Sequence, residues 1–253
     1  MSTLTDDLGH SVAMTAPASR VISLVPSITE ALAHSRPEAV VGATDWCTHP
    51  ADLDVARVRG TKNPNLELIA SLAPDLVIAN KEENRRLDVE RLRAMDVSVW
   101  VTDIESIPQA IASYDRLFGV LRWERPEWLA QVERLWSPMP PISRVVAVPI
   151  WRDPWMVVGG GTFTTDLLRR VGWDNIFKAL PRYPAVDLGD LDGAGADVVL
   201  LPDEPYEFTA ADGPEAFTAT PTQLISGRLL TWYGPSLLES HAVLSSSAGL
   251  SGS

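Results

Sequence analysis

The chain repeats its own pattern about 120 residues apart. Arg20-Val21-Ile22-Ser23-Leu24-Val25-Pro26 returns as Arg144-Val145-Val146-Ala147-Val148-Pro149, and Ala73-Pro74-Asp75-Leu76-Val77-Ile78-Ala79 returns as Gly195-Ala196-Asp197-Val198-Val199-Leu200-Leu201. The two offsets, 124 (Arg20 to Arg144) and 122 (Asp75 to Asp197), nearly agree, which chance matches would not do. In each half a basic residue opens a short β-branched run closed by Pro, a helical stretch follows, and a second apolar run ends in charge. A chain of 253 residues, 45% of them hydrophobic, is long enough for two domains of roughly 100 residues, each with its own core. Two similar α/β lobes imply a cleft, and clefts between lobes take up small ligands.

The elements follow from periodicity and punctuation. Val21 to Val25 reads as a buried strand, and Ser27-Ile28-Thr29-Glu30 as a capping box opening a helix to His34. Val40 to Ala43 is a second strand. Asn65 caps a helix whose apolar face is Leu66, Ile69, Ala70 and Leu72, and Pro74 ends it. Leu76 to Ala79 and Val97 to Val101 are further strands, separated by an amphipathic stretch from Arg85 to Met95. This alternation predicts an α/β fold: two doubly wound, Rossmann-like lobes with parallel sheets and right-handed crossovers. From Ser106 to Trp136 the pattern is purely helical, with Pro126 at a first-turn position. Ser137 to Pro141 then punctuates the chain. The second lobe holds a strand from Arg144 to Ile150, a Gly turn at 159 to 161, a helix near Thr164 to Val171, a strand from Val198 to Leu201 and a last helix from Pro235 to Leu244. The expected organisation is a disordered tail 1–19, an N-terminal lobe 20–121, a helical linker 122–142, a C-terminal lobe 143–244 and a disordered tail 245–253.

Charge and composition exclude several classes. A net charge of −12 with no cluster of Lys and Arg argues against a nucleic-acid partner. No run approaches the roughly 20 apolar residues of a membrane span, so no membrane insertion is expected. Met1 to Arg20 carries Asp6 and Asp7 and has neither a basic n-region nor an apolar h-region, and Asp45-Trp46 rather than an apolar stretch precede Cys47. As encoded, the chain reads as cytoplasmic, and as a monomer.

Nine tryptophans are many for this length. Trp100, Trp128 and Trp136 fall on a strand or on the helical segment and fit a core role. Trp46, Trp151, Trp155 and Trp232, with Tyr183, fall in loops, where they suit a large, flat, partly apolar ligand. Asp45-Trp46-Cys47-Thr48-His49 offers a thiol and an imidazole, two donors where a closed zinc site needs four, so Cys47 and His49 are weak metal candidates. One such group would suffice as an axial ligand to a metal already held in a chelate. Gly159-Gly160-Gly161-Thr162 reads as a plain turn ahead of an anion site, since it lacks a P-loop Lys. No Gly-x-Ser-x-Gly elbow and no His-Glu-x-x-His is present, and the four histidines offer no obvious general base.

Arg20 to Glu30, Val41 to Cys47, Gly60-Thr61-Lys62-Asn63-Pro64-Asn65-Leu66-Glu67, Ala73 to Ala79 and Gly172-Trp173-Asp174-Asn175-Ile176-Phe177 together resemble the vitamin B12-type substrate-binding proteins of ABC importers. These belong to the helical backbone metal receptor superfamily. The resemblance implies a class III periplasmic-binding-protein fold, no covalent cofactor, and a ligand that is cobalamin or another metal chelate such as haem or a ferric siderophore. It implies ligand contacts from Trp46, Thr61, Lys62, Asn63, Lys81, Asn84, Trp151, Arg152, Trp155, Tyr183 and Trp232. It also implies an extracytoplasmic protein docked on an ABC permease through one acid per lobe. Glu67 matches the first; the second falls on Gly189, with Asp190 adjacent. A cytoplasmic carrier or sensor, and an enzyme acting on a tetrapyrrole or metal chelate, are the alternatives to an importer component.

Overall fold

A computed structural model describes residues 3–246. The chain divides into two compact units. Of the described residues, the first holds 3–104, Pro108–Gln131 and Tyr233–Pro235; the second holds Glu105–Ile107, Val132–Trp232 and 236–246.

The first unit opens with a hairpin, β1 (Thr3–Thr5) and β2 (Ser11–Ala13), where the tail 1–19 was expected to be disordered. Two carboxylates hold it. Asp6, with a fully buried side chain, accepts from the N–H of Leu8 (3.0 Å), His10 (2.7 Å) and Val101 (3.1 Å) and pairs with Arg93 at 3.2 Å. Asp7 accepts from the Asp103 N–H and the Ser113 hydroxyl and pairs with Arg116 at 2.7 Å. Apart from Leu8 and His10, these partners lie 87 to 109 residues down the chain, so a local reading sees only a polar, charged segment.

Next come β3 (Val21–Ser23), α1 (Pro26–Ser35), β4 (Val40–Ala43), β5 (Ala56–Arg57), α2 (Leu66–Ser71), β6 (Leu76–Asn80), α3 (Arg86–Ala94) and β7 (Val99–Thr102). The strands form one parallel sheet in the order β5-β4-β3-β6-β7. Pro26 sits at the start of α1, where its missing N–H costs nothing, and the cap residue is Val25 with no side-chain bond. The expected capping box at Ser27 is therefore incorrect: Ser27 and Glu30 already lie inside the helix and are buried. Asn65 does cap α2, its side chain accepting from Leu68 N–H at 3.1 Å. Ile22, Val77, Ala79, Val99 and Val101 from the strands meet Ile69 and Leu92 from the helices in one core. Each of the Val, Ile and Leu side chains contributes about 1.5–3 kcal/mol by leaving water.

α4 (Ile107–Leu121) and α5 (Glu127–Trp136) carry the chain onward, and the boundary between the units falls inside α5, between Gln131 and Val132. Most of α4 belongs to the first unit, where Tyr114 meets Trp128 edge-on at 5.1 Å and Phe118 packs near both Trp123 and Trp128. A linker confined to 122–142 therefore does not describe the chain.

The second unit comprises β8 (Arg144–Ala147), β9 (Pro149–Trp151), β10 (Met156–Val157), α6 (Phe163–Arg170), β11 (Trp173–Asn175), α7 (Leu188–Asp192), β12 (Val198–Pro202), β13 (Thr222–Ile225), α8 (Arg228–Thr231) and α9 (Ser236–Ser245). Its parallel sheet has the order β11-β8-β12-β13, and β9 and β10 form a separate antiparallel pair. Ala147, Val199 and Leu201 pack with Val157, Leu191 and Phe208. Ser245 ends α9, so the expected tail 245–253 begins one residue early; 247–253 lie outside the described residues.

The sequence repeat has a structural counterpart. β6 and β12 are central strands, each bonded to the first strand of its sheet. Before each stands an Asp that fastens that neighbour. Asp75 accepts from Ser19 N–H (2.8 Å) and Arg20 N–H (2.9 Å), and its own N–H donates to the Arg20 carbonyl (2.7 Å). Asp197 accepts from Val145 N–H (2.7 Å) and donates to the Val145 carbonyl (2.8 Å).

Candidate functional site

In a doubly wound sheet, ligands bind beyond the carboxyl ends of the strands, where the winding reverses. In the first unit that reversal lies between β3 and β6, and the loops leaving β4, β5 and β6 carry Trp46, Thr61 to Asn63 and Lys81 to Asn84. Trp46 is 66% exposed, a large apolar surface facing water. Beside its indole is Gly60, where an added Cβ would lie 3.3 Å from Trp46 Nε1 and 2.6 Å from Asn63 Oδ1. Only Gly lets the Asn63 side chain fold back against this turn. Lys62 Nζ donates to the Glu82 carbonyl, and Lys81 pairs with Asp103 at 2.7 Å. Asn84 is buried. Its Nδ2 donates to the carbonyls of Leu24 (3.2 Å) and Thr61 (3.0 Å), and its Oδ1 accepts from Asn80 N–H (2.8 Å). Asn84 thus ties three loops together instead of presenting an amide to a ligand, which corrects the sequence expectation.

Cys47 is fully buried, its Sγ 3.0 Å from Thr29 Oγ1 and 3.1 Å from Thr44 Oγ1, and burial pushes its thiol pKa up. A thiolate is the metal-binding form, so this environment disfavours ligation. His49 is exposed, with Nδ1 3.1 Å from Thr48 Oγ1. Among the described residues no three His, Cys, Asp or Glu side chains are grouped to hold a metal ion. One contact escaped the sequence reading: the buried Tyr233 hydroxyl donates to Glu83 Oε1 at 3.0 Å, and burial, then the Glu83 charge, drives its pKa well up. The partners stand 150 residues apart, and the only hint was the aromatic pair Trp232-Tyr233.

In the second unit the corresponding loops follow β8, β11, β12 and β13. Trp151 is 44% exposed and meets Tyr206 edge-on at 5.5 Å. Arg152 lies over the Trp155 ring and pairs with both Asp212 and Glu215. The Tyr206 hydroxyl donates to Asp212 at 2.6 Å; that bond, then the Arg152 charge and its bonds, lowers the carboxyl pKa. Trp155 is a core residue, stacked on Phe208 at 5.8 Å with rings nearly parallel, and edge-on to Phe217. Trp232 is buried too, its Nε1 donating to Glu204 at 2.7 Å. The expectation that Trp155 and Trp232 line an open site is corrected: partners on the β12 loop had no local signature. Tyr183 is half-exposed under Arg182, which pairs with Glu105 at 2.6 Å.

The Gly159–Gly161 turn offers no anion cradle at its first two residues. Gly159 N–H donates to the Arg182 carbonyl and Gly160 N–H to the Leu180 carbonyl, and a Cβ at either would come within 2.3 Å of a backbone oxygen. These glycines exist for backbone approach. Glu67 and Asp190 are both exposed, in the first turns of α2 and α7, the helices ahead of β6 and β12. Gly189 holds the place equivalent to Glu67, and a Cβ there would meet nothing within 4 Å. No described helix is long and apolar enough to cross a membrane.

No protein-family model matches the chain. It is 26% identical over 186 residues to the vitamin B12-binding protein of Vibrio campbellii, spanning 68% of this chain and 66% of that one. It is 27% identical over 171 residues to the vitamin B12-binding protein of Salmonella choleraesuis, spanning 63% of each. The chain thus matches slightly under two thirds of the length of these curated relatives. Among solved structures, the periplasmic vitamin B12 binding protein of Vibrio cholerae superposes with a TM-score of 0.70 at 19% identity, covering 90% of this chain and 96% of that one. A periplasmic heme binding protein from Pseudomonas aeruginosa gives 0.71 at 20%, covering 90% and 91%. A Helicobacter pylori protein with Ni(II) bound gives 0.81 at 15%, covering 97% and 88%. These likenesses establish the class III periplasmic-binding-protein fold. In sequence the chain is thus similar to vitamin B12-binding proteins, and in fold to periplasmic proteins described as binding vitamin B12 or heme.

Proposed function

We propose that the chain binds a metal chelate without transforming it, a corrinoid such as cobalamin ahead of haem or a ferric siderophore, as the substrate-binding component of an ABC-type importer or a derivative of one. One observation carries the preference for a corrinoid: the candidate cations are already engaged. Lys62 is held by the Glu82 carbonyl, Lys81 by Asp103, and Arg152 by Asp212 and Glu215. Haem carries propionates and ferric siderophores are often anionic, so either would have to displace a carboxylate to reach Lys81 or Arg152, and a backbone carbonyl to reach Lys62. A corrinoid presents mostly neutral amides around a large apolar disc. It asks instead for exposed rings and ordinary hydrogen bonds, which Trp46, Trp151, Tyr183 and Asn63 can supply. An enzyme acting on such a chelate would call on Cys47 or His49, and the buried Cys47 thiol, its pKa raised by burial, weakens that reading. In the importer reading, Glu67 and Asp190 are the permease contacts.

Equilibrium dialysis against cobalamin, haemin and a ferric siderophore, with tryptophan fluorescence in parallel, tests the preference. Saturable cobalamin binding, with quenching reduced in Trp46→Phe and Trp151→Phe, is expected, while Lys81→Ala leaves affinity nearly unchanged. Tighter binding of haemin, or no cobalamin binding at micromolar levels, would overturn it.

A further inference from the structure

The second unit holds a cavity of about 480 Å³ at the amino ends of β8 and β11, away from the loops discussed above. Arg144 and Trp173, the first residues of those two strands, form part of its wall, with the Arg144 guanidinium 5.4 Å from the Trp173 ring centre. Arg170 stands beside them, bonded to Asp166 (2.8 Å) and to the Trp136 carbonyl (2.8 Å). The His241 ring, edge-on to Trp136 at 5.2 Å, closes another side. The apolar lining comes from Leu135, Pro138, Pro140, Val171 and Leu244.

Two features set this cavity apart from the rest of the molecule. Among the described residues no carboxylate lines it, although the chain carries a net charge of −12. Arg144 also has no carboxylate partner among the described residues, in contrast to Arg152 and Lys81. Stacking on an indole fixes the plane of a guanidinium and leaves its N–H edge available to a bidentate carboxylate. Cavities of this size suit small molecules, which they hold by apolar walls and a few oriented polar groups. The apolar character continues outward, where Leu135, Met139 and Ile142 are exposed.

We propose that this cavity is a second binding site, for an amphipathic monocarboxylate whose head group pairs with Arg144 and whose apolar body lies against Leu135, Pro140 and Leu244. The head group is selected by charge and the body by burial, so an uncharged analogue of the same length loses the stronger contact.

Calorimetric titration of the full chain with octanoate, and with octanol as the uncharged analogue, tests the site. Octanoate should bind saturably and octanol about tenfold more weakly or less. Arg144→Lys should weaken octanoate several-fold, because an ammonium cannot reproduce the bidentate fork. Leu135→Asp, at the exposed rim and clear of the core, should weaken it by repulsion, which keeps the test valid should a change at Arg144 disturb folding. Cobalamin binding should be unaffected by either change, so failure here is separate from failure of the corrinoid reading. Equal binding of octanol and octanoate, octanoate affinity unchanged by both substitutions, or no binding by the intact chain at millimolar octanoate would each overturn the proposal.

Discussion

The two sheets share their interior fastening and differ at one edge. In each, an Asp before the central strand bonds the backbone of the neighbouring strand, Asp75 to Ser19 and Arg20, Asp197 to Val145. At the edge, β7 of the first unit is sealed: Asp6 and Asp7 accept from the Val101 and Asp103 N–H groups, and Asp7 N–H donates to the Val101 carbonyl. The edge strand β13 of the second unit has no comparable hairpin among the described residues. It is four residues long, mostly half-buried, and preceded by Pro221. A repeated unit must keep the contacts that set strand register, because one slip turns every side chain to the wrong face. An edge need only be blocked, and shortness, proline or a covering segment each does so. Interior contacts therefore preserve the repeat while the edges diverge.

The largest expected effect sharpens that contrast. Asp6→Ala removes a buried carboxylate serving three N–H groups and Arg93, and should cost about 3 kcal/mol in urea unfolding. Hydrogen exchange should quicken at Val101, while β13 amides keep their protection. A loss below 1 kcal/mol on the same scale would mean the hairpin is only laid on the edge. The Asp pins come next. Asp75→Ala should cost about 1–2 kcal/mol and Asp197→Ala about 1 kcal/mol, since the first carboxylate serves two N–H groups and the second one. Equal or reversed costs, measured by urea unfolding, would break the equivalence drawn between the two units. The smallest effect is a pH dependence confined to the second unit. Asp192 accepts from the N–H groups of Thr218, Ala219 and Thr220, and these bonds, led by Thr218, lower its pKa from 3.8 to about 2. A folded-state pKa below the unfolded one stabilises the fold above about pH 4, and that contribution fades as pH falls toward 2. Amide exchange at 218–220 should rise across that window in the native chain, and be nearly flat in Asp192→Asn.

Much of the fold was legible because it is written locally. β4 and α2, with its Asn65 cap, stand where the sequence puts them, and β6 and β12 each run one residue further. β11 and β13 were missed: Trp173-Asp174-Asn175 and Thr222 to Ile225 are short and polar, and become strands only because β8 and β12 offer free edges. The helix start at Pro26 was misplaced by one Ser-x-x-Glu coincidence, overridden by the proline. For the expected site residues, Trp151 falls on strand β9 instead of in a loop, and exposure divides the others in a way the sequence did not. Trp46 and Trp151 are exposed; Trp155, Trp232 and Asn84 are buried.

The sequence by itself determined the doubled α/β plan, since β-branched runs at regular spacing bury as parallel strands whatever surrounds them. It determined as well which loops reach the carboxyl ends of those strands. Tertiary structure decided which loop residues remain available to a ligand. Arg152 is neutralised by acids 60 and 63 residues away, Lys81 by one 22 away, and Trp232 is drawn inward by Glu204, 28 away. Burial and ion pairing are properties of neighbours in space, and residue spacing along the chain does not encode them.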